Sequence, residues 1–233
     1  MLFNLDKCKV LHVGYNNKCN QYFIENTEIQ CTDDERDLGV MVHKSLKVGN
    51  QCSKVVKEAY STLGVINRCF LNKTKEILVP LYKTLVRCRL EYCVQARRPY
   101  LVKDIELIEK VQKRMTRMLP DLRGLPYHER LKTLHLTTLE TRRLRGDLIE
   151  VFKLVNGFEN IDSNIFLHRA SGTCRWHSEK ITKNAFRLDV RKYTFSKRVI
   201  NNWNALTQYV VDCTTVASFK RYLDRYITEK GFL

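Results

Sequence analysis

Apolar residues change their spacing near residue 48. Upstream they alternate with polar ones: 9–13 alternates up to Gly14, 21–24 and 27–29 flank Glu25-Asn26 as hairpin arms, and 37–42 is a further short apolar run. A period of two over such lengths predicts strands, so residues 1–47 read as a small antiparallel β element. Downstream the period is 3.6. Cys52, Val55, Val56, Ala59, Leu63, Ile66 and Phe70 share one helical face, with Lys54, Lys57 and Arg68 away from its centre. A second helix starting near Thr74 carries Ile77, Leu78, Leu81, Tyr82, Leu85 and Val86, with Pro80 in its first turn or at a kink. A third, over 103–119, turns Ile105, Ile108, Val111, Met115 and Met118 inward.

The most strongly marked segment is 139–157, LETRRLRGDLIEVFKLVNG, where Leu144, Leu148, Val151, Phe152 and Val155 form the apolar stripe. Thr137 or Thr138 caps its start, and Asn156-Gly157 ends it in a left-handed turn. Arg143 stands four residues before Asp147, a pairing distance on a helix. Gly146 costs such a helix about 1 kcal/mol against alanine, which predicts another backbone packed closely there. Residues 158–185, rich in Asn, Ser and Gly toward their start, read as a connector, and helix resumes in 186–233. There Phe195, Val199, Trp203 and Leu206 share one face, as do Phe219, Leu223, Tyr226 and Ile227. The expected fold is mainly α with a small N-terminal β element, divided at 1–47, 48–157, 158–185 and 186–233.

Composition sharpens this picture. Of 233 residues 44 % are hydrophobic, enough for a buried core and too many for a disordered tail. The nine cysteines form no CxxC pair, and no apolar run is long enough to span a membrane. Reduced thiols in an intracellular setting, nucleus or cytoplasm, are therefore expected, with no membrane partner. The net charge of +16 is unevenly placed: residues 1–50 hold six basic and seven acidic side chains, so the whole excess lies downstream. That asymmetry predicts a polyanionic partner; RNA, a DNA duplex and an acidic protein all satisfy it.

Lys110, Lys113, Arg114 and Arg117 recur every three or four residues on one helix, too close for comfort unless an anion lies alongside, though on sequence alone a solvated helix fits them as well as phosphate contact does. Arg142, Arg143 and Arg145 splay around theirs, which taken alone fits a solvated face with local ion pairs better than phosphate contact, with both kept open. Arg191, Lys192, Lys197 and Arg198, interleaved with tyrosine, offer further phosphate contacts, while Phe195 and Trp203 read as core. Metal chemistry is weakly supplied. His168, Cys174 and His177 lack a fourth ligand for structural zinc. Asp33-Asp34 reads as a turn ahead of a strand. No metal and no cofactor is expected for this chain.

Three runs, LYKTLVRCRLEYCVQ at 81–95, KDIELIEKVQKRMTRML at 103–119 and YHERLKTLHLTTLETRRLRGDLIEVFKLVNG at 127–157, carry a family resemblance. Their order and spacing resemble the region that follows the polymerase palm in reverse transcriptases of LINE-type (non-LTR) retrotransposons, in the jockey-like group. FRLDVRKYTFSKRVINNWNAL at 186–206 is similar to the family's C-terminal segment. FNLDKCKVLHVG at the start resembles the palm motif after the catalytic carboxylates, with Lys7 where a lysine assists the nucleotide phosphates.

The resemblance implies the end of a palm, a helical thumb-like bundle that tracks a template-primer duplex, and C-terminal helices. The parent enzyme copies RNA into DNA using two Mg²⁺ ions. Its Tyr/Phe-x-Asp-Asp hairpin does not occur here, so Met1 is expected to begin inside a domain and this chain alone to be inactive, with RNA or an RNA/DNA duplex, and the upstream polymerase region, as partners. Two departures stand out: Arg97 replaces an expected buried Trp and Cys88 an expected proline. A basic helical scaffold for an acidic protein, or a decayed reading frame without a selected role, fits the same residues.

Overall fold

The computed structural model describes residues 4–14, 16–170 and 177–231. The first part holds six short strands, β1 (Val10–Leu11), β2 (Phe23–Ile24), β3 (Thr27–Glu28), β4 (Cys31–Thr32), β5 (Asp34–Asp37) and β6 (Val40–His43). β2 and β3 form the expected hairpin, with Glu25 in the left-handed region at φ 55°. β5 and β6 form a second one, turned by Leu38 and Gly39 at φ 45° and 84°. A two-residue turn with both φ positive matches the twist of the strands it joins. β1 departs from the antiparallel expectation: it pairs in parallel with β4, because the β2–β3 hairpin between them returns the chain in the same direction. The strands are tied to the helices by the Met41 amide donating to Gln51 Oε1 (2.9 Å) and by the Tyr92 hydroxyl donating to the Leu38 carbonyl (2.9 Å).

The rest is helical: α1 (Gly49–Cys69), α2 (Lys75–Leu81), α3 (Cys88–Glu91), α4 (Val94–Arg97), α5 (Val102–Arg117), α6 (Tyr127–Thr133), α7 (Leu139–Val155), α8 (Asp189–Lys192), α9 (Phe195–Arg198), α10 (Ile200–Asn204), α11 (Gln208–Val211) and α12 (Val216–Glu229). α1 buries its predicted stripe except Phe70, which lies beyond the helix and is 36 % exposed. Between α2 and α3, Tyr82–Arg87 is wound as a π-helix just after Pro80, which has no N–H to continue the α ladder. The wider turn puts Leu78, Tyr82, Val86 and Leu90 in line on the buried side, and leaves Leu85 46 % exposed.

Arg97 is buried, as the resemblance expected of the residue at that place, yet it is a cation. Its guanidinium donates to the carbonyls of Tyr92 and Arg89 at the end of α3, where the helix dipole favours positive charge, and it lies over the Tyr92 ring. Cys88 sits exposed, its thiol donating to the Thr84 carbonyl at 2.7 Å.

Two hydrophobic clusters fill the molecule. One gathers α1, α2, the π-helix, α5 and α6 and ends at Leu139; the other begins at Leu144 and joins the rest of α7 to α10, α11 and α12 around Trp203, Phe152 and Phe219. The expectation set the helical unit at 48–157, whereas the clusters divide inside α7. The described residues of 158–185 do more than connect, since Leu167 and Ile181 are buried in the second cluster and Arg169 bridges to Ile181. α7 is capped as expected, Thr138 Oγ1 accepting from the Thr141 amide (3.1 Å) and Gly157 turning at φ 69°. Gly146 does not meet a close backbone: a Cβ there would have no neighbour within 4 Å.

Candidate nucleic-acid interface

The rotation of α5 about its axis decides which side chains it presents, and a buried polar network fixes that rotation. Gln112, fully buried, accepts from the Tyr82 hydroxyl (2.8 Å) and donates to Tyr127 Oη (3.0 Å) and to the Thr137 carbonyl (3.0 Å). Beside it the Glu109 carboxylate accepts from the Tyr127 hydroxyl and from the Leu139 amide (3.0 Å), the first N–H of α7. A carboxylate at a helix N-terminus meets an orphan donor and the positive end of the dipole. Burial nevertheless raises the Glu109 pKa above the usual carboxylate value, opposed by these donors and by the nearby Arg143.

With that face held inward, the opposite edge of α5 carries Lys110, Arg114 and Arg117 exposed and Lys113 partly so. Aromatic rings steady two of them: Lys113 Nζ lies 5.3 Å from the Tyr127 ring centre and the Arg114 guanidinium 5.2 Å from that of Tyr60. Among the described residues none of the four forms an ion pair, although the Lys113 charge is felt by the buried Glu109. Glu106, one turn before Lys110, is the acid on that edge. Seven residues of helix rise about 10 Å, over which a nucleic-acid duplex presents about six phosphate charges. Like charges at this spacing repel by about 0.2–0.5 kcal/mol per pair, so the stripe is better accommodated beside an anion than alone.

The other predicted cations divide sharply. Arg142 forms a two-pronged pair with Glu91, Nη2 to Oε2 at 3.0 Å, and Arg145 one with Asp224, Nη2 to Oδ2 at 2.9 Å. Arg143 points into the interior at 3 % exposure; its Nη1 and Nη2 have no acceptor, and burial lowers its pKa. Asp147 is not its partner. That fully buried carboxylate accepts from Arg98 Nη1 (2.8 Å) and from Arg198 Nε (2.9 Å) and Nη2 (2.8 Å), reaching across the fold instead of along the helix. Arg198 also donates to the carbonyls of Val94, Gln95 and Tyr193, and Lys197 is buried. Arg142, Arg145 and Arg198 are thus paired with acids and Arg143 and Lys197 are buried, which leaves all five less available to phosphate than expected.

Arg191 and Lys192 remain exposed on α8. Arg191 lines a mostly apolar cavity of about 530 Å³ with Leu154, Ile161 and Phe195, and Lys192 lies over Tyr193, itself stacked on Tyr100. Lys7 is exposed on the turn before β1. Tyr60, Tyr127 and Arg123, whose Nε donates to the Arg117 carbonyl (3.3 Å), support the α5 edge but left no signal in the sequence, because each reaches it from another element.

Metal chemistry has little to build on. Among the described residues no group of three or more His, Cys, Asp or Glu is placed to hold an ion. His168 is exposed, Cys174 lies outside the described residues, and His177 is buried edge-on to Trp203, its Nε2–H donating to the Trp203 carbonyl (3.0 Å). Burial lowers the His177 pKa. Asp33 pairs with Lys44 (2.9 Å), while Asp34 begins β5 and accepts from Asn50 Nδ2 (3.1 Å). Adjacent carboxylates held by separate partners do not fit a two-Mg²⁺ site, which needs both aimed at one point. No helix among the described residues is long and apolar enough to cross a membrane. Comparison with protein-family models, curated proteins and solved structures finds no match to this chain.

Proposed function

We propose that the outer edge of α5 grips the sugar-phosphate backbone of RNA or of an RNA/DNA duplex, and that the chain is the palm end, thumb and C-terminal region of a LINE-type reverse transcriptase. The observation that carries this reading is the selectivity of ion pairing. Arg142, Arg145 and Arg198 form ion pairs, yet Lys110, Lys113, Arg114 and Arg117 form none among the described residues. A helix that keeps four neighbouring cations out of ion pairs while cations elsewhere are paired is suited to an anion from outside. Polymerisation itself belongs to the parent enzyme's Mg²⁺-binding carboxylates, for which Asp33 and Asp34 are no substitute.

Salt dependence tests the reading. Each neutralised phosphate releases counterions, with a slope of log K against log salt of about −0.7 per contact on single strands and −0.9 on duplex. Changing Lys110, Lys113, Arg114 and Arg117 together to Gln should flatten that slope by about 2 to 4 and weaken binding equally across sequences. An unchanged slope removes α5 from the interface. Tight binding to an acidic protein with no affinity for nucleic acid favours the scaffold reading.

A further inference from the structure

The N-terminal strands assemble a second chemistry. β1 and β4 pair in parallel with Val10 opposite Cys31, and residues two apart on a strand share a face, so His12, two residues beyond Val10, emerges beside Cys31. Cys31 Sγ lies 3.6 Å from His12 Nε2. The other ring nitrogen, Nδ1, lies 3.1 Å from Asn17 Oδ1. The orientation of the Asn17 amide is fixed from both ends: Oδ1 also accepts from the Cys19 amide (2.9 Å), and Nδ2 donates to the Val13 carbonyl (3.3 Å). An amide oxygen only accepts, so Nδ1 carries the proton and Nε2 presents its lone pair to the thiol. The Tyr22 ring, 6.1 Å away, flanks the imidazole.

A nucleophile, a base within reach of its proton and a third group orienting the base form the arrangement that activates a thiol. No imidazole contact is found at the other described thiols. Cys8, Cys88 and Cys213 donate to backbone carbonyls, Cys52 is buried with its pKa pushed up to about 11, Cys93 is half-buried, Cys69 is exposed at the end of α1, and exposed Cys19 has the Lys44 ammonium, not a base, near it. Cys31 is exposed, so a small reagent reaches it without a pocket.

We propose that Cys31 is a reactive thiol site that takes low-molecular-weight disulfides, with His12 as its base and Asn17 as a positioning residue. In the exchange, His12 Nε2 accepts the thiol proton and the Cys31 thiolate attacks one sulfur of R–S–S–R. A mixed disulfide, Cys31–S–S–R, forms as the S–S bond breaks, and the departing R–S⁻ takes the proton back from the imidazolium. The inference is independent of nucleic-acid binding.

The test uses the intact reduced chain and oxidised glutathione at pH 7, with mixed-disulfide formation at each cysteine read by mass spectrometry and Cys69 as internal reference. A free thiol is only a few per cent thiolate at that pH, and nucleophilicity falls as acidity rises, so activation is worth about tenfold. The expected Cys31-to-Cys69 rate ratio is therefore about ten. His12→Gln should bring it near one; Asn17→Ala should lower it, and Asn17→Asp, which keeps an acceptor oxygen, should restore it. A ratio near one in the native chain, or a ratio that His12→Gln leaves unchanged, overturns the proposal. Should His12→Gln fail to fold, the two Asn17 variants decide, and equal ratios in both overturn it.

Discussion

Asp147→Asn isolates what holds the two hydrophobic clusters in register. The carboxylate is completely buried and accepts from Arg98 and twice from Arg198. Deleting the charge leaves two guanidinium groups facing a neutral amide, and breaking a buried ion set this way costs about 3–5 kcal/mol. Both arginine side chains retain some water contact, at 17 % and 11 % exposure, and Arg198 keeps its carbonyl acceptors, so the lower end applies, about 3 kcal/mol. With a urea slope of about 3 kcal/mol/M for a chain of this size, the unfolding midpoint should drop by about 1 M. Arg143→Met is the contrast. Its Nη1 and Nη2 have no acceptor, so an apolar replacement of similar length should shift the midpoint by less than about 0.3 M, in either direction. If Asp147→Asn moves the midpoint no more than that, no ion pair at Asp147 stabilises the chain; if instead Arg143→Met lowers it as far, the local Arg143–Asp147 pair regains its place.

Two further outcomes follow from α7 and its neighbours. Gly146→Ala fills space that nothing occupies inside a helix and should stabilise by about 1 kcal/mol, raising Tm by about 2–4 °C; a fall in Tm contradicts the open space. His177 is held neutral when folded, so between its lowered folded pKa and the ordinary value of about 6.5 the unfolded chain binds more protons. Stability should therefore fall as pH drops through about 6.5 and level off below the folded pKa, and urea midpoints at pH 7.5 and 5.5 should differ less in His177→Gln than in the native chain.

Helical faces were legible because the rule behind them is local: Cys52, Val55, Val56, Ala59, Leu63 and Ile66 are buried where a 3.6 period puts them. The caps of α7 were legible for the same reason. Partner choice was not. Arg143 and Asp147 stand one turn apart, but Asp147 is met by arginines 49 and 51 positions away, and only the fold brings those near. The π-helix after Pro80 shifted which of Leu85 and Val86 is buried, since no hydropathy pattern announces an extra residue in a turn. On the candidate interface the α5 stripe was readable from spacing alone, whereas the ion pairing of Arg142, Arg145 and Arg198 depended on acids supplied by other helices. The Cys31, His12 and Asn17 contacts left no motif, because they arise from a parallel strand pairing that the alternating pattern did not specify.

α7 gives Leu139 to one cluster and Leu144 onward to the other, without a loop between. Mechanically it is an axle about 25 Å long seated in two bearings. The Asp147 carboxylate, midway along it and gripped from both sides, acts as the key that stops the axle turning. α5 packs on the same axle, with Glu109 locked to its first amide. With no loop between its two bearings and a key that holds it against turning, α7 offers no hinge, so a load on the α5 edge would be passed along it to α12 instead of being absorbed between the clusters.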